Sequence, residues 1–339
     1  MSDTTCPHFS DKTPMMNFSI DASSAGMRLD QYLASEAKKH PVFPSALSPS
    51  RSFITKQIDS QRVLINQRPA KKRELVQEGD IVSVLDLCDS ASLEHRLVGE
   101  SIALEILHED EAIIVINKGA GMVVHPGAGN YSGTLVHALL GYSTCFHPDC
   151  FPSLPPLRPG IVHRLDAGTT GVMVVAKTPR AHAFLSEEFA QRRVGKEYLM
   201  LCGGARLEGD VEGLIGRDPK DRQKFILHRP DGRTSHTSFW LEKELTAPFQ
   251  LTRAQLHTGR THQIRVHAKA MQAPLLGDPL YGLPKRDQQL EKHYKIALKR
   301  TMLHAVNLTF THPALHHTVS FTAPMHKDML DVVERLESN

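Results

Sequence analysis

One stretch limits the folds open to this chain more than any other. His163-Arg164-Leu165-Asp166-Ala167-Gly168-Thr169-Thr170-Gly171 runs directly into the apolar segment Val172 to Ala176. The apolar run is rich in valine and follows turn residues, so it predicts a buried strand. The Gly and Thr residues before it predict a tight turn. The chain must therefore deliver one carboxylate, flanked by Arg and His, to the end of a strand. The rest of the sequence can be read by what it adds to Asp166.

With 339 residues the chain is long enough for two domains, each with its own core. A hydrophobic fraction of 40% and a charged fraction of 23% suit a soluble globular protein, and the longest apolar runs fall far short of a membrane span. Residues 1–17 are polar and lack the basic start and apolar segment of a secretory signal, so a cytoplasmic location is expected. The five cysteines show no paired CxxC spacing. Cys145 and Cys150 bracket His147, but no second ligand pair with structural-zinc spacing follows, and no metal is expected. A formal charge of +3 is mild, so any nucleic-acid surface must come from local clustering.

Residues 1–26 show no sustained periodicity and are expected to form a flexible tail. From Met27 the pattern predicts a helix carrying Leu29, Tyr32 and Leu33, and then a second opened by Ser50-Arg51, with Phe53, Ile54 and Ile58 on its buried side. Strands follow at Val63 to Ile65 and Ile81 to Val84. Between Arg51 and Arg73, seven Arg or Lys residues face one acid, Asp59. Such an excess can neutralise phosphates, or it can be a solvated face. Arg28-Leu29-Asp30-Gln31-Tyr32-Leu33, Ser50-Arg51, Ile65-Asn66 and Gly79-Asp80 together resemble the small RNA-binding module first known from a ribosomal small-subunit protein. The resemblance covers residues 27–86 and implies that Ser50, Arg51, Lys56 and Arg62 face RNA. Residues 87–100 read as a linker, and 101–339 as a second domain.

In that second domain, strand-like runs at Leu104 to Leu107 and Ile113 to Ile116 precede Lys118-Gly119-Ala120-Gly121, a turn that alone carries a weak signal. Pro179 to Arg193 reads as a helix with Ala183, Phe184, Phe189 and Ala190 on one side, and Lys196 to Cys202 as a strand carrying Tyr198. Arg217 to Arg229 reads as an exposed basic hairpin, with Phe225 and Ile226 interleaved. In His257 to His267, Thr261 is a plausible helix N-cap. The three histidines recur every five residues, about 140° apart on a helix, and so form no metal-binding face. Gly277-Asp278-Pro279-Leu280-Tyr281-Gly282 predicts a turn near the site, Leu303 to Thr311 a strand, and Met329 to Leu336 a terminal helix.

The set Lys118-Gly119-Ala120-Gly121, His163-Arg164-Leu165-Asp166, Lys196-Glu197-Tyr198, His257 to His267, Gly277 to Gly282 and Leu303-His304-Ala305, all in order, resembles the RluA family of RNA pseudouridine synthases. With the preceding module, the arrangement is similar to that of the ribosomal-RNA members, the RluD-like type. The resemblance implies an α+β fold: a catalytic domain on a mixed, largely antiparallel sheet, with a small N-terminal α/β RNA-binding domain. It implies Asp166, Tyr198 and Arg265 as catalytic residues and Arg164, Lys118, Arg260, His262 and Gln263 as substrate-binding ones. The isomerisation gains no atoms and changes no oxidation state, so no cofactor is expected. The expected partner is ribosomal RNA, free or in the assembling large subunit, met by a monomer. A transfer-RNA synthase of the same family and a noncatalytic ribosome-assembly factor are the alternatives. Two departures from the family pattern stand out, Gly119 in place of Pro and Thr170 in place of Ser.

Overall fold

A computed structural model describes residues 16–36, 54–55, 58–71, 73–85, 97–127, 130–155 and 157–337. The chain divides into two units, Met1–Arg96 and Leu97–Asn339, each considered by itself. Ser50, Arg51 and Lys56 lie outside the described residues.

The first unit holds β1 (Met16–Ser19), α1 (Leu29–Glu36), β2 (Val63–Ile65), β3 (Arg68–Pro69) and β4 (Ile81–Val84), with sheet order β1-β4-β2-β3. Strand β1 falls in the stretch expected to be a tail. Four residues are too few to show a period, but Met16 to Ser19 pair antiparallel with Val84 to Ile81 and bury Phe18. Leu29, Tyr32 and Leu33 of α1 pack with Ile54, Ile58, Val63, Ile65 and Val82 into a separate core. Arg62 is half-buried where the chain enters β2, and its carbonyl accepts the Leu85 N–H.

In chain order the second unit comprises β5 (Glu105–Glu109), β6 (Ile113–Lys118), α2 (Leu135–Tyr142), β7 (Thr170–Ala176), α3 (Pro179–Ala190), β8 (Gly195–Gly203), β9 (Gly209–Arg217), β10 (Phe225–Ile226), β11 (Arg233–Glu244), β12 (Phe249–Leu256), α4 (Gln263–Ala270), α5 (Pro284–Tyr294), β13 (Leu303–Thr311), β14 (Thr318–Thr322) and α6 (Lys327–Glu337). The strands form one ten-stranded sheet in the order β10-β9-β11-β12-β8-β13-β7-β6-β5, with β14 added against β13. Its named strand pairs are antiparallel except β7 with β13, where Thr170 and Gly171 lie beside His304 and Ala305. This is a mixed, largely antiparallel α+β architecture. Every residue of β6 and β7 is buried, the polar Asn117, Lys118 and Thr170 included, as strands covered on both faces require.

The close approach of β7 to β13 explains the last glycine of the motif. Gly171 has φ of +114°, and a Cβ placed on it would stand 2.1 Å from the Ala305 carbonyl oxygen. No other residue fits there. Thr170, the departure from Ser, directs its hydroxyl to His304 Nδ1 at 2.9 Å. Gly119, the departure from Pro, lies in open space.

Two local expectations need correction. Helix α3 buries Ala181, Leu185 and Glu188, whereas Ala183 and Ala190 are exposed. The aromatics Phe184 and Phe189 suggested the wrong face; both are only half-buried, and Phe189 stacks on His163. Helix α4 is preceded not by Thr261 but by His262, whose backbone is left-handed at φ of +58°. Among the described residues, no helix is long and apolar enough to cross a membrane.

Candidate active site

The motif turn, the end of α3, strand β8 and the segment from Leu256 through α4 surround a cavity of about 440 Å³, within the usual range for a small-molecule site. Asp166, Tyr198, Arg164, Arg260, His262, Gln263 and Arg265 all line it. Residues nearly a hundred positions apart converge because β7, β13 and β8 are neighbours in the sheet.

Asp166 is half-buried, and its Oδ2 accepts a hydrogen bond from Arg265 at 3.0 Å. Arg265 gives its other two donor nitrogens to Asp278, at 2.7 and 2.8 Å. Asp278 is fully held, because its Oδ1 also accepts the Leu280 and Tyr281 backbone N–H groups. These contacts keep the Asp278 carboxyl below its ordinary range even though burial opposes ionisation. The two carboxylates in turn raise the Arg265 guanidinium against its own burial. A buried cation with two anionic partners has one orientation available, so the geometry at Asp166 is preset.

Tyr281 backs this arrangement. The Arg265 guanidinium carbon lies 5.0 Å from its ring centre. Its hydroxyl accepts the Phe225 N–H at 2.8 Å and lies 2.9 Å from His262 Nδ1. The expected exposed hairpin of β9 and β10 is thus docked on the site, with Phe225 edge-on to His262. His262 Nε2 is 3.8 Å from Asp166, and burial lowers its ring pKa, with the Asp166 charge opposing.

Tyr198 sits between Ala254 of β12 and Ala305 of β13, its cross-strand neighbours. Paired residues share a sheet face, so two small side chains leave the ring room beside the cavity. Burial first, then the Asp166 charge, pushes its phenol well above the ordinary tyrosine range.

The family profile described as RNA pseudouridylate synthase matches residues 112–270. Ribosomal large subunit pseudouridine synthase D of Xanthomonas campestris is 37% identical over 325 residues, covering 94% of this chain and 92% of that protein. The chain belongs to the RluA family of RNA pseudouridine synthases. It is an isomerase that converts uridine in RNA to pseudouridine. An uncharacterized RNA pseudouridine synthase, YlyB, of Bacillus subtilis is 36% identical over 314 residues, covering 92% of this chain and 95% of that one. The solved structure of human RNA Pseudouridylate Synthase Domain Containing 4 superposes with a TM-score of 0.52 at 25% identity, covering 68% of this chain and 92% of that chain.

Two expected substrate-binding residues do other work in this synthase. Lys118 is buried and lies outside the cavity wall; its Nζ donates to the carbonyls of Gly119, Met122 and Ala167 at 2.9, 2.9 and 3.3 Å. It ties β6 to the residue after Asp166. Burial, reinforced by Arg300, pushes its amine down to about 8. Gln263 faces the cavity but spends its whole amide on protein: Oε1 accepts from Thr258 and Arg260, and Nε2 donates to His236 and Thr237. It braces the turn that presents Arg260. Arg164 is exposed at the cavity edge.

The three regularly spaced histidines go to different places. His262 faces Asp166, His267 is buried against Ser235 at 2.9 Å, and His257 stacks on His236. The donor atoms of Asp210, His236 and His257 lie within 4.8 Å of one another, with the Ser238 hydroxyl bonded to Asp210 and 2.8 Å from His257 Nε2. Hydrogen bonding accounts for this group as it stands.

Sequence reasoning gave no role to Asp278 and Tyr281, and none to Arg192 or the Lys196 amine, which line the cavity. The signal for the first two was the Gly277 to Gly282 turn itself, whose left-handed Gly277 would clash with the Arg300 carbonyl if given a Cβ. Nothing local marks Arg192.

Proposed function

We propose that this synthase modifies uridines in large-subunit ribosomal RNA in the cytoplasm, with Asp166 as its catalytic carboxylate. The observation that carries the site assignment is the 3.0 Å contact of Asp166 with an arginine immobilised on Asp278, in the cavity that also holds Tyr198. The substrate assignment rests on the Xanthomonas relative, which is named for the ribosomal large subunit.

The reaction breaks the bond from uracil N1 to the sugar C1′, turns the ring, joins C5 to C1′ and releases the C5 proton while N1 takes one up, so the net change is an isomerisation. Asp166, held in place by its hydrogen bond from Arg265, begins it as nucleophile on C1′ or as base on a sugar proton. Tyr198 stacks on the everted uracil; its raised phenol suits stacking better than service as a ready-made base. Arg164, at the rim, enters the gap left in the RNA, where eversion costs roughly a few kcal/mol. In the first unit, Arg62 and its basic neighbours hold flanking RNA.

The test uses ribosomal RNA tritiated at uridine C5. Wild-type protein should release tritium to water and Asp166→Asn should not. Equal release by both overturns the role of Asp166; no release from ribosomal RNA by the wild type, with release from tritiated transfer RNA assayed in parallel, overturns the substrate.

A further inference from the structure

Arg164, Arg192, Lys196, Arg260 and Arg265 line one cavity with a single carboxylate, Asp166, which Arg265 already engages. The remaining cations on the α3–β8 side are without acids. Lys196 is half-buried, and its ammonium has no hydrogen-bond or ion-pair partner among the described residues; it lies over Gly259, 3.9 Å from where a Cβ would stand. Glu197, its neighbour, is engaged by Arg253 at 2.8 Å instead. Arg192 is exposed and its guanidinium is likewise unpaired. Arg260 uses Nε on the Thr234 carbonyl at 3.0 Å, which fixes the plane of the guanidinium and leaves its terminal nitrogens for a ligand.

These charges act on one another. After burial, the next cause lowering both Lys196 and Arg260 is Arg192. A half-buried ammonium beside a like charge, with no carboxylate, is unfavourable in the free protein and is relieved when an anion arrives. The gap also has a matching ligand. A uridine everted towards Asp166 brings its backbone along, and phosphate contacts are what position a nucleic acid.

We infer that Arg192, Lys196 and Arg260 form a phosphodiester subsite that grips the RNA backbone beside the everted uridine. The inference rests on the reading of this cavity as the uridine site and is independent of which RNA supplies the uridine.

The probe is a fluorescein-labelled uridine-containing stem-loop, bound to full-length protein by anisotropy across a salt series. This readout requires no turnover, so failure to modify ribosomal RNA would leave it intact. Arg192→Gln and Lys196→Gln should each weaken binding and reduce the slope of log affinity against log salt by roughly one. Lys196→Arg should restore the slope. Lys292→Gln, on the exposed side of α5, is the control for net charge and should leave the slope near the wild-type value. Unchanged slopes in both Gln variants, or a loss no greater than that of Lys292→Gln, would overturn the subsite.

Discussion

Arg265 meets Asp166 at 3.0 Å with one nitrogen while its other two donor nitrogens are committed to Asp278. The guanidinium is a bridge between a half-buried carboxylate open to the cavity and a fully buried one. Its planar fork suits that task, and a lysine would offer a point charge without the paired contact to Asp278.

Asp278→Asn tests the bridge. The amide keeps some hydrogen bonding but removes the charge that orients Arg265. Turnover should fall on the order of a hundredfold, since small displacements of a positioning group have effects of that size. KM should change little, because Asp278 is buried and its carboxylate is engaged wholly by protein groups. A proportionate rise in KM with kcat intact would assign Asp278 to binding.

His163 gives the stability a pH dependence of definite sign. Its Nε2 accepts the Val174 N–H at 3.1 Å, and burial, then Lys196, lowers its pKa to about 3. In the unfolded chain it titrates near its ordinary value, about 6.5. Between those values the unfolded state binds more protons, so stability is full above about 6.5 and declines as pH falls towards about 3. The slope from this one group is at most about 1.4 kcal/mol per pH unit. Urea midpoints at pH 5 and pH 7 should differ less in His163→Gln than in wild type. Equal differences would assign the acid sensitivity to other groups.

Gly171→Ala should be among the most damaging single-methyl changes in the chain. The new Cβ would meet backbone at 2.1 Å at a φ of +114° that L-residues rarely adopt. A cost above about 3 kcal/mol is expected, since strain and overpacking act together and neither strand can yield without loss of pairing. Thermal unfolding measures it; Gly119→Ala, in open space, should be nearly silent by the same assay.

The sequence by itself determined which segments become strands around Asp166, because runs rich in valine or isoleucine beside turn residues have few other uses. Val172 to Ala176 and Ile113 to Ile116 became β7 and β6, and the ordered motifs named the family and Asp166, Tyr198 and Arg265 as its candidate acid, aromatic and cation. Where a side chain spends its hydrogen bonds was not legible. Lys118 and Gln263 look like ligand-binding residues until their partners are seen, because carbonyls of Gly119, Met122 and Ala167 carry no sequence signal. Strand β1 was hidden because a four-residue edge strand is specified by its partner, Ile81 to Val84, and not by its own period. Only the tertiary structure placed Asp278 behind Arg265 and brought Arg192 and Lys196 into one cavity with Arg260. Electrostatic coupling depends on distance through space, and a linear pattern carries none of that distance.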